Sequence, residues 1–505
     1  TTVDNRSNSS AHGDMRVFAS TVRNTGERAA LHSNNNLWIQ KDAQGNKATL
    51  VENRSARIQT NSGDLVIRTN KLSNVRDVLT IVTQSEAVDN EGMRIYGVLF
   101  NAHKNGDIKN RQDLYQEDYA KREKWMLPCD TVEDCTYVTR NIDRWIPDER
   151  TRTFVKMNTP EAIIDSGKNS FINADLLLSD ASILKAKGDI ILTGKTFVSR
   201  NHPVGIKERF NKFIPDTEAY KQYDKLGWPY PPMSYLDSGE KGYSWSPQSH
   251  LASKVIAGGN FVADFSDRIE SNEPYDTWVQ HSGVMSRPDT ITAKNIFLHA
   301  GQIITTDVMK AAGDITLVSR NGDVNSHTSE QPNYFHADGV RWLGSIEASR
   351  DLSISAGGSI LLRNTRLPVQ SQNISLVANG DITLDKNEAM LCHEQPGVLL
   401  TLARKQELFN RMLPGEPLRA SGDITLSGKH LNLNGASLDA GGNISLTSAA
   451  NTDLNMRRFS DRYSVFFPAN RIPELRSHLK AGGNLLISSA ADIGLQGADI
   501  SAGKT

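Results

Sequence analysis

The chain has 505 residues, and its 57 basic and 58 acidic side chains leave a formal net charge of -1 at pH 7. A charge so close to zero excludes the global positive field that recruits nucleic acid or an anionic membrane surface. The mean hydropathy is -0.45. No run of about 18 apolar residues occurs, which excludes a membrane-spanning helix.

A short unit recurs along the chain: glycine, a small polar residue, then two apolar residues separated by one residue of any kind. Its copies begin at Gly63, Gly188, Gly259, Gly313, Gly358, Gly380, Gly422, Gly442 and Gly483. Gly-Asp and Gly-Asn pairs are typical of tight turns, and we expect a positive φ at these glycines. Alternating apolar residues are typical of a strand with one buried face.

A strand and turn that recur about every 20 residues cannot bury their apolar face alone, whereas stacked copies bury a continuous core. The sequence therefore predicts an all-β fold, a right-handed parallel β-helix (solenoid) with coils about 4.8 Å apart. The period of two, with many Ser, Thr, Asn and β-branched residues, excludes a helical solenoid in these segments. Coils are expected over 1–100, 157–197 and 251–505.

Residues 101–156 lose the repeat and are predicted to form an insertion. Their stretch 108–125 is charged and compatible with a helix, and such mixed charge is typical of a solvated surface or of one that steers a partner. The spacing of Cys129 and Cys135 suits a small disulfide loop in an oxidising compartment, with two unpaired thiols as the alternative. The third cysteine, Cys392, is expected to be buried.

Residues 198–250 form a second predicted insertion, rich in tyrosine, proline and tryptophan. Rigid aromatic side chains offer large contact areas at a small entropic cost, which favours a receptor-binding role. The candidate receptor-binding residues are Tyr220, Tyr223, Trp228, Tyr230, Tyr235, Tyr243 and Trp245. The alternative is that the rings pack the insertion onto the column. We expect Trp228 to be partly exposed, and Phe210 and Phe213 to be buried.

The last part of the chain, 251–505, carries further predicted insertions near 264–290, 325–345, 386–418 and 451–478. Within them, 397–412 has the pattern of a short amphipathic helix that stops near Pro414 and Gly415. Connections too long for tight turns project from the flank of a solenoid, where such loops usually carry binding.

The repeat also accounts for residues that could suggest catalysis. Asp189, Asp314, Asp381 and Asp423 each follow a repeat glycine at the start of a strand, which turn chemistry explains. No nucleophile elbow, metalloprotease helix or phosphate-binding loop occurs, and neither Cys129 nor Cys135 has a second Cys/His pair at ligand spacing. We therefore predict no enzyme activity, no metal site and no cofactor. We also predict no nucleic-acid partner, because acidic and basic residues are mixed through the aromatic segment.

Segments 422–450 and 481–503 resemble filamentous haemagglutinin repeats, which build the large exoproteins that Gram-negative bacteria export by two-partner secretion. Such repeats, interrupted by an aromatic segment, resemble the CdiA effectors of contact-dependent growth inhibition. In that family a long filament carries a receptor-binding region, and a toxin lies at its far C-terminus. The resemblance implies a secreted filament at the cell surface, exported in its full-length form by an outer-membrane two-partner secretion transporter.

The chain begins Thr1-Thr2-Val3-Asp4 and starts and ends within repeat material, so we expect a piece from the middle of such a filament. The resemblance implies that this piece is the receptor-binding region, and that the receptor is an outer-membrane protein or lipopolysaccharide of a target bacterium. Two alternatives stay open: an adhesin for host cells or glycans, and a purely structural stalk.

Overall fold

The computed structural model describes residues 1–87, 94–95, 98–99, 144–215, 235–272, 279–281, 284–286, 290–305, 308–325, 334–335, 344–363, 365–366, 371–385, 418–433, 435–455, 457–458 and 474–503. Every regular element within these ranges is a β-strand, and they contain no helix. The predicted helices 108–125 and 397–412 lie outside the described residues, as do Cys129, Cys135 and Cys392. The predicted boundaries of coils and insertions stay predictions.

The strands stack into a column in which the chain winds through three parallel faces in each coil. A 23-stranded sheet forms faces I and II, and a ten-stranded and a four-stranded sheet together form face III. The register aligns equivalent residues from coil to coil, as for Leu37, Leu65 and Ser170 on face I. The predicted parallel β-helix is confirmed.

The strands of faces I and II fall into three groups. Four long strands bend from face I to face II: β9 (Leu65–Val75), β15 (Ser170–Asp180), β17 (Ile190–Arg200) and β21 (Phe261–Asn272). Face I also contains β3 (Met15–Phe18), β6 (Leu37–Gln40), β25 (Ile296–Ala300), β28 (Ile315–Ser319), β32 (Asp351–Ala356), β35 (Asn373–Ala378), β38 (Ile424–Gly428), β41 (Ile444–Ser448) and β46 (Leu485–Ser489). Face II also contains β1 (Thr2–Asn5), β4 (Thr21–Thr25), β7 (Ala48–Arg54), β26 (Gln302–Ile304), β29 (Val324–Asn325), β33 (Ile360–Arg363), β36 (Ile382–Asp385), β39 (Leu431–Asn432), β42 (Thr452–Asp453) and β47 (Ile493–Gly494).

The remaining strands form face III or lie outside the column. Face III contains β2 (Asn8–Ala11), β5 (Ala30–Ser33), β8 (Arg57–Thr60), β14 (Ile163–Ser166), β16 (Ile183–Ala186), β20 (Lys254–Ala257), β24 (Ile291–Ala293), β27 (Val308–Ala311), β31 (Gly344–Ala348), β34 (Thr365–Arg366), β37 (Leu418–Ala420), β40 (Ser437–Ala440), β45 (His478–Ala481) and β48 (Asp499–Ala502). Outside the column lie β10 (Leu79–Ala87), β11 (Arg94–Ile95), β12 (Val98–Leu99), β13 (Arg144–Asn158), β18 (His202–Pro215), β19 (Tyr235–Leu251), β22 (Val279–His281), β23 (Val284–Ser286), β30 (Tyr334–Phe335), β43 (Arg457–Arg458) and β44 (Glu474–Leu475).

Alternating apolar residues fill the inside of the column, as the repeat predicts. Ile315 and Leu317 are fully buried, whereas Thr316 between them is half-buried on the outer side. One hydrophobic cluster extends along the stacked coils. Burial contributes about 1.5–3 kcal/mol for each such aliphatic side chain, so the stacking of coils is the main source of stability.

The repeat glycines are needed for a reason other than the predicted one. The positive-φ glycines of the described residues are Gly26, Gly45, Gly435 and Gly497, so the prediction of a positive φ at the repeat turns is wrong. A Cβ added at Gly63 would instead lie 2.3 Å from the backbone carbon of Asn35 in the preceding coil. Glycine is required because consecutive turns stack backbone on backbone.

In seven of the nine repeat copies, the polar residue after the glycine belongs to an outer ladder at the corner between faces III and I, whereas Ser359 and Asp381 lie at the corner between faces I and II. The backbone N–H of Asp189 donates to Asn169 Oδ1 over 2.9 Å, and the N–H of Asn260 donates to Asp189 Oδ1 over 2.6 Å. The outer ladder comprises Asp14, Asn36, Asp64, Asn169, Asp189, Asn260, Asn295, Asp314, Asp351, Asn373, Asp423, Asn443 and Asn484. These carboxylates and amides therefore satisfy donors of the next coil.

A second, buried ladder lies at the corner between faces II and III. Asn5 Nδ2 donates to Asn24 Oδ1 over 2.7 Å, and the chain of bonds continues from Asn24 to Asn53 and from Asn53 to Asn74, each over 2.9 Å. At the same register position, the following coils have serine in place of asparagine, at Ser179, Ser199 and Ser271. This inner ladder ends at the coil from which the first long connection leaves the column.

Candidate functional site

Long connections leave the column at one corner, between faces II and III, which we call the insertion edge. They span 76–162, 201–253, 273–290, 326–343, 386–417 and 454–477. Connections between the column strands at the other two corners are short, and the longest is 41–47. One coil closes the insertion edge with only Ala181 and Ser182 between β15 and β16. The corner itself therefore does not require an insertion.

Two of these connections, with part of a third, build a five-stranded sheet outside the column, in the order β10-β13-β18-β19-β30. The first four strands pair antiparallel, and β30 pairs parallel with β19. We call it the projecting sheet. It joins segments of the two insertions that the sequence predicts separately, because β13 pairs with both β10 and β18. The sequence of β13 lacks a regular alternation of apolar residues and does not indicate its partners.

The described candidate receptor-binding residues lie on this sheet. Tyr235, Tyr243 and Trp245 belong to β19, where the register places Tyr243 opposite Arg209 of β18 and beside Tyr334 of β30. Trp245 follows two residues after Tyr243 on the same strand. Tyr220, Tyr223, Trp228 and Tyr230 lie outside the described residues. Burial of Phe210 and Phe213 on β18 stays a prediction.

Arg76 anchors the first insertion where it leaves the column. Its side chain is 8% exposed. Nη1 donates to the returning chain at Thr159 O over 2.6 Å and at Asn158 Oδ1 over 2.8 Å. Nε donates to Ala181 O over 3.0 Å, and Nη2 pairs with Glu161 Oε2 over 3.1 Å. One buried guanidinium thus joins the outgoing chain, the returning chain and the corner of the next coil.

Two strained residues support the point at which the first insertion leaves the column, which we call the root of the projecting sheet. Ser55 and Ala181, with φ of 47° and 44°, are the non-glycine residues of the described ranges with a positive φ. Ser55 Oγ donates to Pro160 O over 2.7 Å and accepts from the N–H of Asp77 over 2.8 Å. Strain of this kind persists only where the surroundings hold it. The root of the projecting sheet is therefore rigidly specified.

The second insertion is also anchored where it leaves the column, at the end of β17. His202 Nε2 lies 2.5 Å from Asp180 Oδ1, where β18 leaves the column. At the return, the N–H of Ser253 donates to Asn201 Oδ1 over 2.7 Å, and Ser253 Oγ donates to Ser179 O over 2.9 Å. The hairpin β18–β19 is therefore fixed to the column at both ends.

The described side chains of the projecting sheet include charged, hydroxyl and apolar groups, among them Met157, which is 55% exposed. Arg209 pairs with Glu149 over 2.6 Å. Ser85 and Thr151 form a cross-strand hydroxyl pair at 2.9 Å on the exposed half of β10. Exposed pairs contribute at most about 1 kcal/mol each. Charged and hydroxyl groups on an extended surface instead provide specificity towards a partner.

The shifted pKa values of the described residues belong to the column. Hydrogen bonding from Lys47, 2.6 Å away, lowers the pKa of Asp175 against the opposing effect of burial, and Lys195 at 3.1 Å adds to it. A hydrogen bond from Arg350 lowers the pKa of Asp314. Burial raises the pKa of Asp165. These carboxylates link coils to one another.

Within the described residues, no group of three or more His, Cys, Asp or Glu side chains could hold a metal ion. The same part of the chain contains no helix long and apolar enough to cross a membrane.

The sequence matches the family described as Haemagglutinin repeat over 158–217, 286–364, 328–389, 418–456 and 468–504, together a little under half of the chain. No solved structure gives a significant match.

Curated relatives of the chain include several CdiA proteins. The tRNA nuclease CdiA of Escherichia coli O6:K15:H31 is 24% identical over 297 residues, which are 55% of this chain and 9% of the relative. The 16S rRNA endonuclease CdiA of Enterobacter cloacae is 28% identical over 188 residues, 34% of this chain and 6% of the relative. The deoxyribonuclease CdiA of Dickeya dadantii is 49% identical over 49 residues, 10% of this chain and 1% of the relative. The chain thus spans less than a tenth of the length of these relatives, and the nuclease names describe those proteins.

Proposed function

We propose that this chain, a CdiA-like filamentous haemagglutinin-repeat protein, is the receptor-binding segment of a secreted filament. In this proposal the segment recognises a surface receptor on a neighbouring bacterium and so allows toxin delivery in contact-dependent growth inhibition. The observation that carries the proposal is the projecting sheet, which gathers strands from separate insertions on one edge of a regular column.

The anchoring of the projecting sheet supports a role in recognition. Arg76 holds one insertion, and the His202–Asp180 pair holds the other. A surface fixed in this way loses little conformational entropy on binding, so more of the contact energy is available for affinity. Tyr243 and Trp245 of β19 are the aromatic anchors that we propose for the contact, together with Tyr235 and the aromatic residues of 216–234.

The proposed partner is an outer-membrane protein or lipopolysaccharide of the target bacterium. The filament acts outside the cell, after export of the full-length protein by an outer-membrane two-partner secretion transporter. The column keeps the projecting sheet at a fixed orientation, which suits recognition at a distance from the producing cell.

A deletion that the column itself suggests tests the proposal. Removal of 202–252 joins Asn201 to Ser253, which reproduces the corner that Ala181 and Ser182 make in the preceding coil. We expect the variant to keep its β-type circular dichroism and to bind susceptible bacteria at least tenfold more weakly than the intact chain in flow cytometry. The matched control removes 457–475, with the paired strands β43 and β44, whose ends lie side by side, and should bind like the intact chain.

Other outcomes would remove the proposal. Equal binding by the 202–252 deletion and the intact chain would exclude the projecting sheet from recognition. An intact chain that binds no bacteria would favour the structural stalk. Salt-sensitive binding to eukaryotic cells alone would favour a host adhesin.

A further inference from the structure

An apolar row lies on the outer side of face I in six consecutive coils. The register aligns Trp38, Val66, Phe171, Ile191, Val262 and Phe297. Each alternates with buried neighbours on its strand, so its side chain is directed away from the core. Phe171 is 37% exposed, and the other members are half-buried. We call this row the apolar stripe.

The apolar stripe is not a general property of the repeat. At the same register position, the next five coils carry the hydroxyl residues Thr316, Ser353, Ser375, Thr425 and Ser445, and the last coil carries Leu486. Hydroxyl residues are ordinary on the solvated side of a strand, whereas six consecutive apolar residues at one outward position are not. The two halves of face I therefore differ in what they can bind.

A polar row runs beside the stripe, two residues further along each strand. Its members are Arg68, Asn173, Thr193, Asp264 and His299. Arg68 Nη1 donates to Gln40 Oε1 over 2.9 Å. At the start of the stripe, the guanidinium of Arg16 lies 5.2 Å from the ring centroid of Trp38. The surface is thus apolar along one row and hydrogen-bonding along the next.

The dimensions of the stripe decide between possible occupants. Coils about 4.8 Å apart and same-face residues about 6.8 Å apart give a strip about 29 Å long and 7 Å wide, roughly 200 Å². A stable protein interface needs about 800 Å² on each side, so the stripe alone is too small for a second copy of the chain. The backbone groups of face I are used in stacking, so an extended peptide finds few partners for its own backbone.

We propose that the apolar stripe binds a linear, neutral, β-1,4-linked glycan. Such a chain is a flat ribbon with apolar C–H faces and hydroxyl edges, which match the two rows. Sugar rings stack on Trp38, Phe171 and Phe297, whose coils lie about 10 and 14 Å apart, and hydroxyl groups bond to Asn173 and Thr193. The stripe is on the face opposite the insertion edge, so this binding is independent of the receptor proposed above.

Saturation-transfer NMR with cellohexaose and chitohexaose tests the proposal on the full chain. We expect transfer to the ring C–H protons of at least one sugar, with a dissociation constant of about 1 mM or tighter. The double variant Phe171→Thr with Phe297→Thr, which introduces the type of residue found in later coils, should bind at least tenfold more weakly. The control Val377→Thr changes an apolar residue of similar exposure, 41%, on the same face but outside the stripe, and should bind like the unmodified chain.

Three results would overturn the proposal. They are no transfer to either sugar, equal binding by the double variant and the unmodified chain, and a dimer in sedimentation that the double variant abolishes. The last result would assign the stripe to a second copy of the chain.

Discussion

Gly13 and Gly63 occupy the same turn position in two coils, immediately before Asp14 and Asp64 of the outer ladder. A Cβ on Gly13 would meet nothing within 4 Å, whereas a Cβ on Gly63 would lie 2.3 Å from the backbone of Asn35. Neither glycine has a positive φ, so conformational preference does not separate them. The difference between the two positions is purely the presence of a neighbouring turn.

Gly63→Ala should therefore destabilise the column by about 1–3 kcal/mol, because the stacked backbone has to move apart to admit the methyl group. Gly13→Ala should change stability little, or increase it slightly by restricting the unfolded chain. Thermal unfolding of both variants, monitored by circular dichroism, checks the pair. Equal melting temperatures would refute the steric explanation.

The inner ladder shows how strands of neighbouring coils are tied together inside the column. Asn53 accepts a hydrogen bond from Asn24, donates to Asn74, and also donates to Ile163 O over 3.1 Å. Its side chain is fully buried. Water cannot replace these bonds, so each residue of the ladder depends on the next.

Asn53→Ala should cost about 3 kcal/mol, because it leaves buried donors and acceptors of its neighbours without partners. The matched control, Asn443→Ala in the outer ladder, removes bonds at an exposed corner and should cost under about 1 kcal/mol, since water takes the place of the amide. Hydrogen exchange of β4 and β7 measures the local effect. Protection that falls equally in both variants would contradict the buried ladder's special role.

The strands of the column were predictable from sequence because each coil carries its own turn and its own alternation of apolar residues. The Gly-Asp turn and the alternation in Ile315-Thr316-Leu317 suffice, since every repeat stacks on a copy of itself. The projecting sheet was not predictable in this way. The register places Arg150 of β13 opposite Glu208 of β18. These strands meet because the column brings the ends of the two insertions close together, and no local sequence pattern indicates this. The role of Arg76 was missed for the same reason.

Ion pairs between coils make the stability of the whole column depend on pH. The pKa of Asp175 is lowered in the folded chain by Lys47 and Lys195, so the stabilisation is present above the unfolded pKa of about 4 and is lost as the pH falls through the lower folded value. Asp165 has the opposite sign, because burial raises its pKa and its ionised form is unfavourable at neutral pH.

Asp175→Asn should therefore lower the melting temperature at pH 7 and reduce the further loss of stability on acidification to pH 3. Asp165→Asn should raise the melting temperature at pH 7, since it removes a buried charge. Melting curves of both variants at the two pH values check these signs. A decrease for both at pH 7 would show that the carboxylates act through packing and not through charge.

The insertion edge has a consequence for how such filaments diversify. Ala181 and Ser182 show that this corner closes in a single short step, and the neighbouring coils open at the same point to admit whole hairpins. Gain, loss or exchange of a hairpin at the insertion edge leaves the register of the stacked coils unchanged. The segments outside the column can therefore differ between such chains while the stacked coils stay the same.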